Sequence, residues 1–151
     1  KSMADRNVTL IYGGGGLGLM GAAAKACKVN KGEVIGIIPS YMDKVTPESD
    51  FTYEKKIVSD LFERKKAMIT LANAFVVLPG GIGSLDEIAE VLALLHLNQI
   101  KKPIGFLSHN NYFEPLFQLF AHFRTNEFLH SDVSEHIVVS DDVQTLLDHL
   151  L

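Results

Sequence analysis

The chain has 151 residues, of which 47% are hydrophobic, and a formal net charge of −4. This length and apolar share suffice for one domain with a sizeable core. The acidic balance, without a basic stripe, argues against nucleic-acid binding. No apolar run approaches the roughly 20 residues of a membrane span. We therefore expect a cytoplasmic protein that binds neither nucleic acid nor a membrane.

Short apolar strands alternate with helical segments along the whole chain. Strands are predicted over residues 8–12, 34–38, 74–78, 103–107 and 136–139, and helices over residues 19–30, 60–72, 84–98, 112–124 and 141–150. Near-continuous apolar strands of this kind belong to a parallel sheet that is covered by helices on both faces. The pattern predicts an α/β fold, a Rossmann-like doubly wound parallel sheet, in a single nucleotide-binding domain over residues 1–151.

Two stretches depart from this regular alternation. Residues 1–7 resemble the end of a helix, and such a helix would normally follow a strand. We therefore expect a domain that is incomplete at its N-terminus, without its first strand and most of its first helix. Residues 39–56 are predicted to be irregular and polar, and a long loop of this kind in a compact domain is often functional.

The first glycine-rich segment, Gly13-Gly-Gly-Gly-Leu-Gly18, joins a predicted strand to an alanine-rich helix. It satisfies the G-x-G-x-x-G pattern, in which a helix N-terminus binds the phosphates of a dinucleotide. An NAD site would also need an acidic residue after the next strand, which here ends in Pro39-Ser40. An NAD- or NADP-dependent oxidoreductase is therefore disfavoured, and we predict no cofactor.

The second glycine-rich segment, Pro79-Gly-Gly-Ile-Gly83, also lies between a predicted strand and a predicted helix. Such a turn directs backbone N–H groups and the positive end of a helix dipole at one small volume, which suits a phosphate. Glu87 follows one helical turn after Ser84, where the helix is predicted to begin. The two residues fit a capping box, and they equally fit a phosphate site with a chemical carboxylate beside it. The local pattern leaves both interpretations open.

The order of these segments resembles that of the Lonely Guy (LOG) family of cytokinin riboside 5′-monophosphate phosphoribohydrolases, which are often mislabelled lysine decarboxylases. The resemblance rests on residues 12–21, on Glu63-Arg-Lys65 and on Pro79-Gly-Gly-Ile-Gly-Ser-Leu-Asp-Glu87, and it extends from Ala4 to the C-terminus. It implies an enzyme that hydrolyses the N-glycosidic bond of a nucleoside 5′-monophosphate, giving the free base and ribose 5-phosphate. It also implies a homodimer.

The resemblance implies that Arg64 and Glu87 are the catalytic pair. A carboxylate beside the sugar stabilises an oxocarbenium-like transition state or activates water. Arginine orients that carboxylate or contacts the substrate. The implied substrate-binding residues are Gly14, Gly15, Glu48, Lys65, Gly80, Gly81, Ile82, Gly83, Ser84, Leu85 and Asp86. We predict no metal site, because the six histidines show no zinc-ligand spacing.

Some residues depart from the family pattern. Leu61-Phe62 stand where the family usually has Met-His, so a wall of the base pocket differs and adenine and a prenylated adenine both stay open. Lys65 and Lys66 show no feature of a Schiff-base lysine, which argues against a pyridoxal phosphate decarboxylase. The alternative class is a non-catalytic nucleotide-binding protein similar to the molybdenum-cofactor carriers.

Two apolar features have structural interpretations. Residues 88–97 are apolar on nearly every side, which suits a homodimer interface as well as packing against the sheet. Cys27 is the only cysteine and lies in the alanine-rich helix, so we interpret it as a small buried hydrophobic residue.

Overall fold

The computed structural model describes residues 1–47, 49–129 and 133–151. The chain forms two compact units, Lys1–Ala72 and Asn73–Leu151. Each unit contains a sheet of three strands, and all the strand pairs are parallel. The α/β class and the parallel pairing predicted from the sequence are therefore confirmed. Within the described residues, no helix has both the length and the apolar character that crossing a membrane requires.

The first unit opens with a single 3₁₀ turn at Ala4–Arg6. Its further elements are β1 (Leu10–Tyr12), α1 (Gly18–Val29), β2 (Val34–Pro39), α2 (Ser40–Asp43), β3 (Glu54–Val58) and α3 (Leu61–Leu71). The strand order is β1-β2-β3, so β2 lies in the centre. Helix α1 packs against β1 and β2, and α3 contacts all three strands. The buried core includes Tyr12, Ala24, Cys27 and Val34.

The prediction that residues 39–56 are irregular was wrong at both ends of the segment. Helix α2 follows β2 directly, and strand β3 begins at Glu54. Within the described residues, strand β3 lies at one end of its sheet and pairs with β2 alone, over Ile35 to Pro39. Its side chains are largely exposed, so its sequence lacks the apolar run by which a buried parallel strand is recognised.

The second unit has the same alternation of strands and helices. It contains β4 (Phe75–Val77), α4 (Ile82–His96), β5 (Ile104–Leu107), α5 (Glu114–Thr125), β6 (Ile137–Ser140) and α6 (Val143–Leu150). The strand order is β4-β5-β6. Phe106 of the central strand is fully buried, and its ring lies edge to face against Phe113 and Phe117, with centroids 5.1 and 5.2 Å apart. These rings attach the segment after β5 to the core of this unit.

Aspartates cap two of the helices. The Asp60 carboxylate accepts a hydrogen bond from the N–H of Glu63 at 2.9 Å, and the Asp142 carboxylate accepts one from the N–H of Thr145 at 2.7 Å. These bonds from backbone N–H groups lower the pKa of both carboxyls. Because Asp60 fixes where α3 begins, it also fixes Arg64 in the first turns of that helix.

Cys27 is a core residue of the first unit. It is only 3% exposed, and burial raises the pKa of its thiol. Its Sγ lies 3.7 Å from the carbonyl oxygen of Glu33. This environment agrees with the interpretation of Cys27 as a small buried hydrophobic residue.

Candidate functional site

The predicted site residues lie on two glycine-rich turns that each follow a strand. We call residues 13–17, after β1, the first glycine loop, and residues 78–81, after β4, the second glycine loop. The carboxyl ends of parallel strands are where α/β proteins usually bind ligands. The two loops belong to different units.

The backbone of the first glycine loop requires glycine. Gly14 and Gly15 have φ values of +79° and +84°, and Gly18 at the start of α1 has +63°. Residues with a Cβ are strained in this left-handed region. A Cβ on Gly15 would also lie 2.8 Å from Cγ2 of Thr46. The conformation of this loop therefore explains Gly14 and Gly15 without a ligand.

Two tyrosines bracket the first glycine loop. The hydroxyl of Tyr12 donates a hydrogen bond to the carbonyl oxygen of Gly15 at 3.1 Å. The N–H of Gly15 donates to the hydroxyl oxygen of Tyr53 at 3.3 Å. The two rings lie edge to face, 5.5 Å apart. The N–H of Gly15 is thus engaged within the protein, and Gly15 shapes the loop through both of its backbone polar groups.

The environment of Tyr12 keeps its hydroxyl protonated. Burial is the largest cause that raises its pKa far above the ordinary value, and the hydrogen bond and charge of Tyr53 add to that effect. Tyr12 is therefore a permanent hydrogen-bond donor to the loop at neutral pH. Sequence reasoning assigned no role to either tyrosine. Only Tyr12 could have been noticed from the sequence, because it is the last residue of β1 and directly precedes the glycine loop.

Arg64 packs against the first glycine loop. A Cβ on Gly13 would lie 2.7 Å from Cζ and 3.1 Å from Nε of Arg64, so glycine at this position makes room for the guanidinium. Arg64 is partly buried, and its Nε is shielded from solvent. An arginine on a merely solvated helix face would not contact a buried backbone. Lys66, by contrast, is exposed and lies 3.6 Å from the carboxylate of Glu63.

Lys65 lies beside an exposed aromatic side chain. Its Nζ is 5.6 Å from the ring centroid of Phe62, a distance suited to a cation–π contact. Phe62 is 78% exposed. This pair places a cation and an aromatic face together at the N-terminal end of α3.

A polar cavity of about 270 Å³ adjoins the first glycine loop. Gly15, Thr46 and Tyr53 line it, together with an ion pair in which Lys55 Nζ lies 2.7 Å from the Asp43 carboxylate. Described residues on both sides of position 48 therefore line a cavity beside the loop. The predicted contact residue Glu48 itself lies outside the described residues and stays a prediction.

The second glycine loop leads into a helix that begins earlier than predicted. Helix α4 begins at Ile82, and Gly81 is its N-cap. This N-cap residue makes no side-chain capping hydrogen bond. Ser84 is therefore the third residue of the helix, and the capping-box interpretation of Ser84 and Glu87 was wrong. Glycine is accepted at an N-cap, which allows the helix to extend two residues toward its N-terminus.

The described fold does not require glycine at positions 81 and 83, at the start of α4. Their φ values are not positive, and a Cβ built on Gly81 or Gly83 would meet none of the described atoms within 4 Å. Ile82, Leu85 and Asp86 are also exposed, whereas Glu87 is partly buried one turn further on. The first N–H groups of a helix have no intrahelical acceptor. The start of α4 therefore offers N–H groups and open space together, which suits an anion.

Two residues, Tyr112 and Ser84, lie close to Gly80. The hydroxyl of Tyr112 donates a hydrogen bond to the carbonyl oxygen of Gly80 at 2.8 Å. A Cβ on Gly80 would lie 2.9 Å from the Cβ of Ser84, so a larger residue would not fit without a shift of Ser84. Sequence reasoning gave Tyr112 no role. Its contact spans 32 residues of chain, so local pattern carried no signal for it.

A family model described as "Possible lysine decarboxylase" matches residues 20–150. The chain belongs to this family, that of the Lonely Guy proteins. A relative from Rhodococcoides fascians, named cytokinin riboside 5′-monophosphate phosphoribohydrolase, is 34% identical over 146 residues. That alignment covers 95% of this chain and 73% of the relative.

Other similar proteins come from a plant and from a bacterium. A protein of Oryza sativa subsp. japonica, named "Probable cytokinin riboside 5′-monophosphate phosphoribohydrolase", is 34% identical over 150 residues, or 99% of this chain. The chain spans only 62% of the length of that relative. The structure of a molybdenum cofactor binding protein from Rippkaea orientalis matches 98% of this chain and 78% of its own, with a TM-score of 0.68. At 22% identity, this likeness shows the fold alone.

Proposed function

We propose that this Lonely Guy protein hydrolyses the N-glycosidic bond of a nucleoside 5′-monophosphate. The products are the free base and ribose 5-phosphate. Water adds to the anomeric carbon, and the base leaves with the electron pair of the broken C–N bond and takes up a proton. The names of the curated relatives support this reaction class.

The observation that carries the proposal is the open start of α4. The described residues do not explain the glycines at positions 81 and 83. Neither has a positive φ, and no described atom lies within 4 Å of where a Cβ would be. Close approach of a ligand to the backbone does require glycine. A phosphate bound by these N–H groups would also interact favourably with the positive end of the helix dipole.

Glu87 is the group that we assign to the chemistry. It lies in the second turn of α4 and does not take part in a capping box. A phosphate fixed at the start of α4 would hold the attached ribose close to this carboxylate. Cleavage of the C–N bond develops positive charge on the sugar, which a carboxylate stabilises, and the same group can accept a proton from attacking water.

Arg64 and Lys65 supply the positive charge that we assign to the same reaction. Arg64 contacts the first glycine loop through Gly13, and Lys65 lies over the ring of Phe62. Guanidinium groups bind carboxylates and phosphates through paired N–H donors. We therefore assign Arg64 to the chemistry, through contact with the substrate, and Lys65 to substrate binding.

In this proposal the base is an adenine, either unmodified or prenylated at N6. Phe62 replaces a histidine of the family pattern and is largely exposed. An aromatic face without a ring nitrogen recognises a purine by stacking and cannot offer that histidine's hydrogen bonds. We propose AMP and N6-prenylated AMP as the two substrates to compare.

Base release measured by chromatography tests the reaction. The protein is incubated with AMP and, separately, with isopentenyladenosine monophosphate. We expect release of free base by the wild type and a loss of about 100- to 10,000-fold in kcat for Glu87→Gln. Glu90→Gln, a change to a partly buried glutamate on the same helix, is the matched control and should stay active.

The outcome distinguishes the two classes of function. Release that is unchanged in Glu87→Gln would remove Glu87 from the chemistry. Binding of AMP without release of base would contradict the hydrolase and favour a nucleotide-binding protein without catalysis. The substrate with the higher kcat/KM identifies the preferred base.

We propose that the protein acts as a homodimer in the cytoplasm. Helix α4 buries Ile88, Val91 and Leu92 within its own unit, yet Ile82 is 83% exposed. Leu85, one turn further along the helix, is also exposed, and neighbouring exposed apolar side chains suit an interface between two copies of the chain. Light scattering on the protein tests this point, and the mass of one chain would contradict it.

A further inference from the structure

The hydroxyl of Tyr112 contacts the second glycine loop. It donates a hydrogen bond of 2.8 Å to the carbonyl oxygen of Gly80, which lies 32 residues away in the chain. Tyr112 is 50% exposed, so burial of its ring does not account for the residue. The contact joins the segment after β5 to the loop that precedes α4.

The backbone of Tyr112 is fixed to the core of the second unit. Its N–H donates to the carbonyl oxygen of His109 at 3.2 Å, and its ring lies edge to face against that of Phe113 at 5.1 Å. Phe113 is 5% exposed and packs on Phe106 of β5. Tyr112 therefore carries its hydroxyl on a rigid support.

The hydrogen bond fixes the direction of the N–H of Gly81. Carbonyl and N–H point to opposite sides of a trans peptide plane, and the described residues contain no cis peptide. Holding the carbonyl of Gly80 thus directs the N–H of Gly81, the N-cap residue of α4, away from Tyr112. A hydrogen bond to the carbonyl also polarises the same peptide group and strengthens its N–H as a donor.

The loop needs such an external contact. Gly80 and Gly81 are consecutive glycines, which have more backbone freedom than any other residues. An N–H group that must bind an anion is effective only when it is already oriented before the ligand arrives. Ser84 lies close to where a Cβ on Gly80 would be, but this contact does not determine the orientation of the Gly80–Gly81 peptide plane.

We propose that Tyr112 is a positioning residue, which orients the Gly80–Gly81 peptide so that the start of α4 binds the 5′-phosphate of the substrate. This inference rests on the proposed function. It assigns Tyr112 to the phosphate and not to the base, and the two parts of the substrate can be tested separately.

Tyr112→Phe removes only the hydroxyl and keeps the ring that packs on Phe113. Calorimetry measures the binding of ribose 5-phosphate and of adenine to the wild type and to the variant. Loss of one neutral hydrogen bond predicts a rise of about three- to tenfold in the Kd of ribose 5-phosphate, with the Kd of adenine unchanged. kcat/KM for AMP should fall by the same factor, mainly through KM.

Tyr41→Phe is the matched control, since Tyr41 is 52% exposed and lies in α2, outside the second unit. It should leave both affinities unchanged. A general loss of structure in Tyr112→Phe would lower the melting temperature and weaken both ligands. The proposal requires an unchanged melting temperature and an effect on ribose 5-phosphate alone.

The binding measurement separates failure of this inference from failure of the proposed function. Equal affinity of wild type and Tyr112→Phe for ribose 5-phosphate would overturn the role of Tyr112, even if the wild type hydrolyses AMP. If the wild type binds ribose 5-phosphate but releases no base, the hydrolase fails and the variant still tests Tyr112. A wild type that does not bind ribose 5-phosphate overturns the role of Tyr112, and the hydrolase is then judged by base release alone.

Discussion

The two glycine loops contain similar residues for different physical reasons. In the first loop, Gly14 and Gly15 are buried and have positive φ values, so the fold itself demands glycine. In the second, Gly81 is exposed and has neither a positive φ nor a described neighbour where its Cβ would be. The first loop is therefore built for shape and the second for access, and a glycine-rich motif alone does not distinguish the two.

Of the changes within the two loops, the largest effect is expected at Gly13, which packs against Arg64. The Cβ of Gly13→Ala would overlap the end of the Arg64 side chain, which is flexible and would move aside. Because a small displacement of a catalytic group is costly, kcat/KM should fall by about 100-fold with little change in stability. Lys66→Ala, on the same turn of α3, is the control. Steady-state kinetics that show no loss in Gly13→Ala would separate Arg64 from the reaction.

Replacing glycine by alanine should affect stability and ligand binding differently in the two loops. Gly15→Ala should lower the free energy of unfolding by about 1–3 kcal/mol, because alanine is strained at a φ of +84°. Gly81→Ala should leave that free energy within about 1 kcal/mol of the wild type and weaken ribose 5-phosphate binding. Urea unfolding and calorimetry on both variants measure this. Equal destabilisation of the two would show that the loops do not differ in this way.

Tyr12 gives the first loop a dependence on alkaline pH that the second should lack. Its pKa is raised in the folded protein, so the unfolded chain loses the tyrosine proton first. The stability that Tyr12 contributes is complete below the unfolded pKa of about 10 and falls as pH rises above it. Urea unfolding across this range should show a steeper loss for wild type than for Tyr12→Phe. Parallel profiles for the two proteins would count against this assignment.

The smallest effect concerns the helices that follow the loops. Helix α3 has an aspartate cap and α4 has Gly81 as its N-cap. Because the pKa of Asp60 is lowered in the folded state, its contribution to stability is present above the unfolded pKa of about 3.9 and is lost as pH falls below it. Asp60→Asn keeps a capping oxygen without this titration. The variant should therefore lose less stability than the wild type between pH 5 and pH 2, measured by thermal unfolding.

The sequence by itself determined the α/β class, the two glycine loops and the family. These depend on local features: apolar runs of strand length, glycines at fixed spacing, and motifs such as Glu63-Arg-Lys65 that are contiguous in the chain. It did not reveal β3, because an exposed strand at the end of a sheet is defined by its hydrogen bonds to β2 and not by an apolar pattern. It also placed the start of α4 two residues too late.

Only the tertiary structure decided what each glycine is for and which tyrosines hold the loops. Tyr53 reaches Gly15 across 38 residues, and Tyr112 reaches Gly80 across 32. A hydrogen bond between residues so far apart forms because strands and helices bring them together, and it leaves no periodicity in the chain. Whether a Cβ on a glycine meets a neighbour is likewise a property of packing, which is why identical residues in the two loops have different roles.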